Sequence, residues 1–189
     1  MYNSSKILKK NDIINNLYNK YKLHIFILQL KCYKYNFYNN WNIWIHDVNN
    51  NDWDIKSYKQ IYKITNFIDF WKLYNNFPNL NNHIFFIMKN DIKPIYEDIN
   101  NIKGGFYSLK IHQDNVFYIW KNLSIDLVTC NLEENKYNII NGLSIIKKKN
   151  FFIIKIWICN KKYNNLKYIN LTNSIYKKYI SNIKFTNFL

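Results

Sequence analysis

The residues Ile92-Lys93-Pro94-Ile95-Tyr96-Glu97-Asp98, closed by Lys103-Gly104-Gly105, put an aromatic ring beside a carboxylate on a segment shaped by proline and glycine. The chain has 3 Gly and 2 Pro in all, and two of those glycines and one of those prolines fall here. A stacking ring next to a group that accepts two hydrogen bonds side by side can hold a flat heterocycle by its face and its edge. A nucleobase is such a ligand. A second ring is on offer at Trp53, which ends the Asn-rich stretch Asp47 to Asp52. Loops lie on the surface, so a tryptophan there is a poor core candidate and a good second wall. The plainer alternative is that both rings plug the core from above.

Guanine presents two adjacent donors, N1–H and N2–H, which match the Glu97 carboxylate. Stacking of a base on an aromatic side chain is worth about 1–3 kcal/mol. Methylation at N7 gives the base a positive charge, which adds a cation–π term on the order of 2 kcal/mol when desolvated. The same charge makes the edge donors more acidic. Both effects favour one ligand, a 7-methylguanosine cap. Nothing in the chain favours catalysis: there is no Gly-rich phosphate loop and no Ser/His/Asp or Cys/His motif. A non-enzymatic protein with no cofactor and no metal is expected. Cys32, Cys130 and Cys159 are odd in number and widely spaced, which argues against a disulfide framework or a zinc site and for a reducing compartment, the cytoplasm. His24, His46, His83 and His112 lack ligand spacing and are read as surface or packing residues.

With 189 residues the chain can bury one sizeable core. Lysine supplies all 27 basic residues, and the net charge of +15 favours a polyanionic partner. Asn, Ile, Lys, Tyr and Phe all have AT-rich codons, so coding bias accounts for part of that charge. The same bias disfavours Trp, which makes the 6 tryptophans the more informative aromatics. Leu23 to Leu30 is interrupted by His24 and Gln29, and Phe151 to Ile158 by Lys155; both fall far short of the ~20 residues of a spanning helix. The polar first 22 residues do not resemble a signal sequence.

These residues need elements to hold them. Residues 1–33 read as a polar extension, mobile or partly helical over Asn11 to Tyr21, and residues 34–189 as one domain. Strand-like alternation runs from Tyr35 to His46, with Phe37, Trp41, Ile43 and Ile45 on one parity, and again from Lys56 to Ile64. A helix follows: Asn66 can cap it, Asp69 takes the capping-box position, and Phe67, Phe70, Trp71 and Tyr74 recur at helical spacing before Pro78. His83 to Met88 and Phe106 to Ile111 read as strands. Val116 to Val128 carries an apolar helical stripe through Ile119, Trp120 and Leu123. Ile139 to Ile146 and Phe151 to Ile158 form a hairpin, Leu171 to Ile180 a third helix, and Ile183 to Phe188 a last strand. The order β-β-α-β-β-α-β-β-α-β predicts an α+β fold, an antiparallel sheet with helices on one face.

Trp41-Asn42-Ile43-Trp44, then Trp53, then Phe67 to Asn75, then Ile92 to Asp98 with its Asn-x-Lys-Gly-Gly ending, and finally Lys155-Ile156-Trp157 together resemble the cap-binding translation initiation factor 4E family. The resemblance implies a curved antiparallel sheet with three helices on its convex face and a cap held in the concave face. By motif position it makes Trp53 and Tyr96 the stacking pair, Glu97 the base-edge carboxylate and Trp157 the contact to the N7 methyl group. Tyr96 stands where the family usually has Trp, which implies weaker stacking. Lys148 takes the place of a phosphate-binding arginine and loses its bidentate fork. A usual phosphate lysine is Ile153 here; Lys155 shares the parity of Trp157 and is a candidate replacement. Phe106 stands where arginine is frequent, and the family's C-terminal loop over the phosphates is expected to be shortened or missing. Trp71, with Phe67 and Ile125, matches the dorsal surface that takes a helical motif of scaffold factor 4G or of repressors. Tyr35-Asn36 replaces the family's His-Pro, and Lys121 a leucine on that surface. The implied function is binding of capped mRNA and recruitment of a scaffold for translation initiation. The alternatives are a cap-binding repressor and a generic single-stranded RNA module without cap selectivity.

Overall fold

The computed structural model describes residues 36–136 and 138–188. The polar extension, its expected helix Asn11 to Tyr21 and Cys32 lie outside the described residues. The elements are β1 (Asn36–Asp47), β2 (Tyr58–Asn66), α1 (Phe67–Asn75), β3 (His83–Lys89), β4 (Gly105–His112), α2 (Val116–Val128), β5 (Ile140–Lys147), β6 (Phe151–Ile158), α3 (Lys177–Ile180) and β7 (Lys184–Asn187). The predicted order of strands and helices holds throughout. All seven strands join one sheet in the order β2-β1-β3-β5-β6-β4-β7, and every pairing is antiparallel.

Successive side chains on a strand point to opposite faces, and here the two faces have different tasks. Trp41 and Ile43 of β1, Phe85 and Ile87 of β3, Leu143 and Ile145 of β5, and Ile154 and Ile156 of β6 point into the main core. There they meet Phe70 and Leu73 of α1, and Ile119, Trp120 and Leu123 of α2. Ile84, Phe86 and Met88 of β3 and Trp157 of β6 form a second, smaller cluster on the opposite face. β3 is apolar on both parities because it lies inside the sheet and is covered on both sides. The second cluster is the floor of the site described below.

Asn66 caps α1 as expected: its Oδ1 accepts from the backbone N–H of Ile68 at 2.9 Å and of Asp69 at 3.0 Å. Asp69 does not close a capping box on Asn66. Its Oδ2 instead accepts from the N–H and hydroxyl of Thr65, one residue earlier, at 3.0 and 2.6 Å. The third helix is shorter than Leu171 to Ile180. Asn170 Oδ1 accepts from Thr172 N–H at 3.2 Å and hydroxyl at 2.7 Å, and Asn173 Oδ1 accepts from Ile175 N–H at 3.2 Å. These side-chain bonds satisfy the backbone in turns, and α3 begins only at Lys177.

Two irregularities re-aim side chains. Trp44 pairs with Gln60 and Ile43 with Tyr62, so Ile61 is an extra residue in β2. Across this bulge the parity flips: Tyr58 packs on the site face while Tyr62 packs on the main core. In β5, Ile140 pairs with Ile158 and Gly142 with Trp157, which leaves Asn141 as the extra residue. Gly142 lies against β3, where an added Cβ would sit 2.3 Å from the Ile87 carbonyl oxygen. Gly142→Ala is therefore expected to destabilise the fold by about 1–3 kcal/mol, read as a lower urea midpoint with an unchanged slope. A wild-type midpoint would show that β3 and β5 can separate freely.

Candidate functional site

The second cluster floors a cavity of ≈ 280 Å³ on the sheet face opposite the helices. Trp53, Tyr96, Glu97, Lys155 and Trp157 all line it, although they come from three distant parts of the chain. Trp53 is 54% exposed and has one face covered: the His46 imidazole stacks on it with centroids 4.4 Å apart and planes 5° apart. His46 is fully buried at the end of β1, and its Nε2 lies 2.8 Å from the Asp52 carbonyl oxygen, one residue before Trp53. The loop carrying Trp53 is thus tied down at its far end, and the ring is held flat from behind. Of the two roles expected of the histidines, surface or packing, His46 takes packing; that it packs beneath Trp53 was not legible.

The segment carrying Tyr96 and Glu97 has no regular structure, and side-chain amides hold its shape. Asn101 is fully buried. Its Nδ2 donates to the carbonyls of Lys93 at 2.9 Å and Ile95 at 2.7 Å, and its Oδ1 accepts from Asn141 Nδ2 at 2.9 Å. Asn141, the bulge residue of β5, also donates to the Asn100 carbonyl at 2.7 Å. Asp98 Oδ2 accepts from the Lys93 N–H at 2.9 Å, which closes the loop on itself. Gly104 serves close approach: an added Cβ would lie 1.8 Å from the Ile158 carbonyl oxygen. Tyr96, 47% exposed, and Glu97 project from this frame into open solvent at the rim.

Glu97 dominates the local electrostatics. Its carboxylate, first as an acceptor beside the phenol and then by its charge, holds the Tyr96 phenol above its ordinary value. Burial, and then the charge of Glu97, push the Tyr58 phenol up to about 12. The carboxylate therefore has two tyrosine rings near it and no cation within 4 Å among the described residues. It is free to accept from a ligand.

The other end of the cavity is aromatic with one cation. Trp157 is buried and lines the cavity, and its Nε1–H donates to Ser144 Oγ at 2.9 Å, which holds the ring in place. Lys155 Nζ sits 3.9 Å over the Phe106 ring. Burial, and then the nearby Lys148 ammonium, hold Lys155 below its ordinary value. Lys148 itself is exposed on the β5–β6 hairpin and does not line the cavity. Phe188 lies against Trp157 at 4.9 Å and Phe106 at 5.6 Å, with its N–H donating to the Gly104 carbonyl at 3.2 Å.

Tyr58, Phe86, Phe106 and Phe188 line the cavity and were not singled out as site residues. Phe86 had a signal, since it alternates with the core residues Phe85 and Ile87. Tyr58 had none, because the bulge at Ile61 reverses its face. On the opposite side of the sheet, Trp71 is 44% exposed on α1, and Phe67 and Ile125 are half-buried. Trp120 is fully buried and belongs to the core.

The family model of eukaryotic initiation factor 4E matches residues 36–187. Among solved structures, initiation factor 4E-3 of Ascaris suum in complex with the m7G cap superposes with a TM-score of 0.68 at 20% identity, over 82% of this chain and 92% of that one. The same protein with an m2,2,7G cap gives a TM-score of 0.68 at 18% identity, with the same coverage. Initiation factor 4E-3 of C. elegans in complex with the 4E-binding protein Mextli gives 0.67 at 18% identity, over 82% and 93%. At these identities the likeness establishes the curved antiparallel sheet with its three helices.

Asn101 should be essential to the rim without touching a ligand. Asn101→Ala removes a buried amide and leaves Asn141 Nδ2 short of one acceptor, at about 1–3 kcal/mol per orphaned group. Hydrogen exchange of the amides in residues 93–102 should speed up while the core of β3 and β5 stays protected. Unchanged exchange across 93–102 would mean that Asp98 suffices to hold the segment.

Proposed function

The chain belongs to the eukaryotic initiation factor 4E family, and we propose that it binds the 7-methylguanosine cap of mRNA in the cavity that Trp53 and Tyr96 line. One observation carries the reading. A single cavity joins two exposed rings, a carboxylate without a cationic partner, a buried tryptophan and a lysine. Trp53, with His46 behind it, offers one free face to a cationic base. Tyr96 offers the other, with less area than a tryptophan. Glu97 stands beside Tyr96 to accept from the guanine edge. Trp157 closes the end where the methyl group would lie. Lys155 would meet the first phosphate, and Lys148, outside the cavity but close enough to depress Lys155, a later one. The relatives bound to m7G and m2,2,7G caps support the ligand class.

Titration of tryptophan fluorescence with 7-methyl-GTP and GTP tests this. The methylated nucleotide is expected to bind tighter. Trp53→Leu should weaken it by about 1–3 kcal/mol, roughly 5- to 150-fold, and Glu97→Gln should erase the preference for guanine over adenine. Equal affinity for methylated and unmethylated GTP would sink the cap reading.

We further propose that the dorsal surface recruits a scaffold or regulator through a helical peptide, with Trp71 as its anchor and Phe67 and Ile125 beside it. An exposed tryptophan on a helix packed by its other face is suited to this mode. The complex of the C. elegans relative with Mextli supports the class of partner. A Mextli peptide should bind, and Trp71→Ala should weaken it at least tenfold (about 1.4 kcal/mol) with the melting temperature unchanged. Loss of the fold instead would mean that Trp71 is structural.

A further inference from the structure

We propose that the sheet face continues beyond the cap cavity as a binding strip for the single-stranded RNA that follows the cap, running down β4 and β6 from Phe106 and Lys155 to Lys110 and Phe151. The proposal rests on the cap reading for the direction in which the strand leaves the cavity.

The register places these residues together. β4 and β6 pair without a bulge, with Phe106 opposite Trp157, Ser108 opposite Lys155, Lys110 opposite Ile153 and His112 opposite Phe151. All eight share one parity, so the face that holds Trp157 and Lys155 at the cavity also carries Lys110 and Phe151 further on. The distance from Phe106 to His112 is about 20 Å at ~3.3 Å per residue. Along it, cations and rings alternate. Lys155 Nζ lies 3.9 Å over Phe106, and Lys110 Nζ lies 4.2 Å over Phe151. Each lysine leans diagonally across the two strands onto a ring, which repeats one motif twice along the strip. At its far end, past the last β7 pairing at Ser108, a groove is lined by Lys110, His112, Phe151, Lys178 and Tyr179.

The side-chain charge of the chain from β5 onward, which includes the β6 half of the strip, has one sign. After Glu134 the chain has no carboxylate side chain, yet it holds 11 of its 27 lysines. Coding bias inflates lysine, but it does not remove acids from one part of a chain that has 12 of them before that point. The strip ends at Asp114, whose Oδ2 faces His112 Nδ1 at 3.2 Å. Lysines set between stacking rings make the pattern that binds single-stranded nucleic acid: backbone phosphates meet the cations and bases lie on the rings, with little sequence preference. A surface for acidic peptides would need the cations and gain nothing from the rings.

The test compares 7-methyl-GTP, a capped RNA with four nucleotides after the cap, and the same RNA uncapped, on the full chain. The capped RNA should bind about tenfold tighter than 7-methyl-GTP, and the gain should shrink as salt rises, by a log–log slope of about 0.7 for each phosphate neutralised. Lys110→Gln should lower that slope by about one such step, and Phe151→Leu should remove most of the gain. Both should bind 7-methyl-GTP as the wild type does. The proposal is overturned if capped RNA binds no tighter than 7-methyl-GTP, if the two variants weaken both ligands by one factor, or if polyglutamate competes as well as RNA. Equal binding of methylated and unmethylated GTP, with uncapped RNA still sensitive to Lys110→Gln, would remove the cap reading and leave the strip standing.

Discussion

Every strand of this sheet serves two faces at once, and that constraint shapes the rest of the molecule. One parity must fill the space under α1 and α2; the other must floor an open cavity. A simple amphipathic strand with a polar outer face could not do both. The outward parity of β3 is accordingly Ile84, Phe86 and Met88, and that of β6 ends in Trp157. Apolar residues on the solvent side are tolerated because the two rim loops partly cover them. A slip of one residue in register would exchange core and site along a whole strand. The glycines that let β5 approach β3 and β6 approach the rim segment therefore protect both faces together.

The rim is held by hydrogen bonds to its backbone and not by lysine–carboxylate pairs. Asn101, Asn141 and Asp98 bond backbone groups of the 93–102 segment, and His46 bonds the loop before Trp53. Among the described residues no lysine lies within 4 Å of a carboxylate, and the one such contact is between His112 Nδ1 and Asp114 Oδ2, at the surface. A chain with 27 lysines has its loops pinned by amides, and this has a functional consequence. Carboxylates are not spent on neutralising lysines near the cavity, so Glu97 remains an acceptor and Lys155 a donor. Amide hydrogen bonds also keep their strength as salt rises, whereas a lysine-carboxylate frame would be screened.

The order of ten strands and helices was legible because alternation and helical spacing are properties of side-chain position alone. The face of a residue beyond a bulge was not. Tyr58 and Tyr62 share a parity in sequence and lie on opposite sides of the sheet, and only the pairing with Trp44 and Ile43 reveals why. The third helix shrank because Asn170 and Asn173 offer the backbone a competing set of bonds, which a periodic apolar pattern does not register. Asn101 was invisible in a chain so rich in asparagine; what distinguishes it is complete burial with its polar atoms paired. Phe106 was read as the absence of an arginine. In the structure it is the ring that holds Lys155 in place.

That contact changes how the phosphate end should be understood. A lysine placed by a carboxylate would have to give up its partner, in whole or in part, when a phosphate arrives. Lys155 is placed by the face of Phe106, and a cation–π contact of about 0.5–2 kcal/mol leaves the ammonium hydrogens free for an anion. Its ammonium is also held below its ordinary value by burial and by Lys148. Burial and the like charge of Lys148 thus both disfavour the charged form of Lys155. A phosphate bound there, as proposed, would offset both effects. A single lysine on an aromatic face, with a second lysine at the hairpin, can in this way stand in for a pair of bidentate groups without reproducing their geometry.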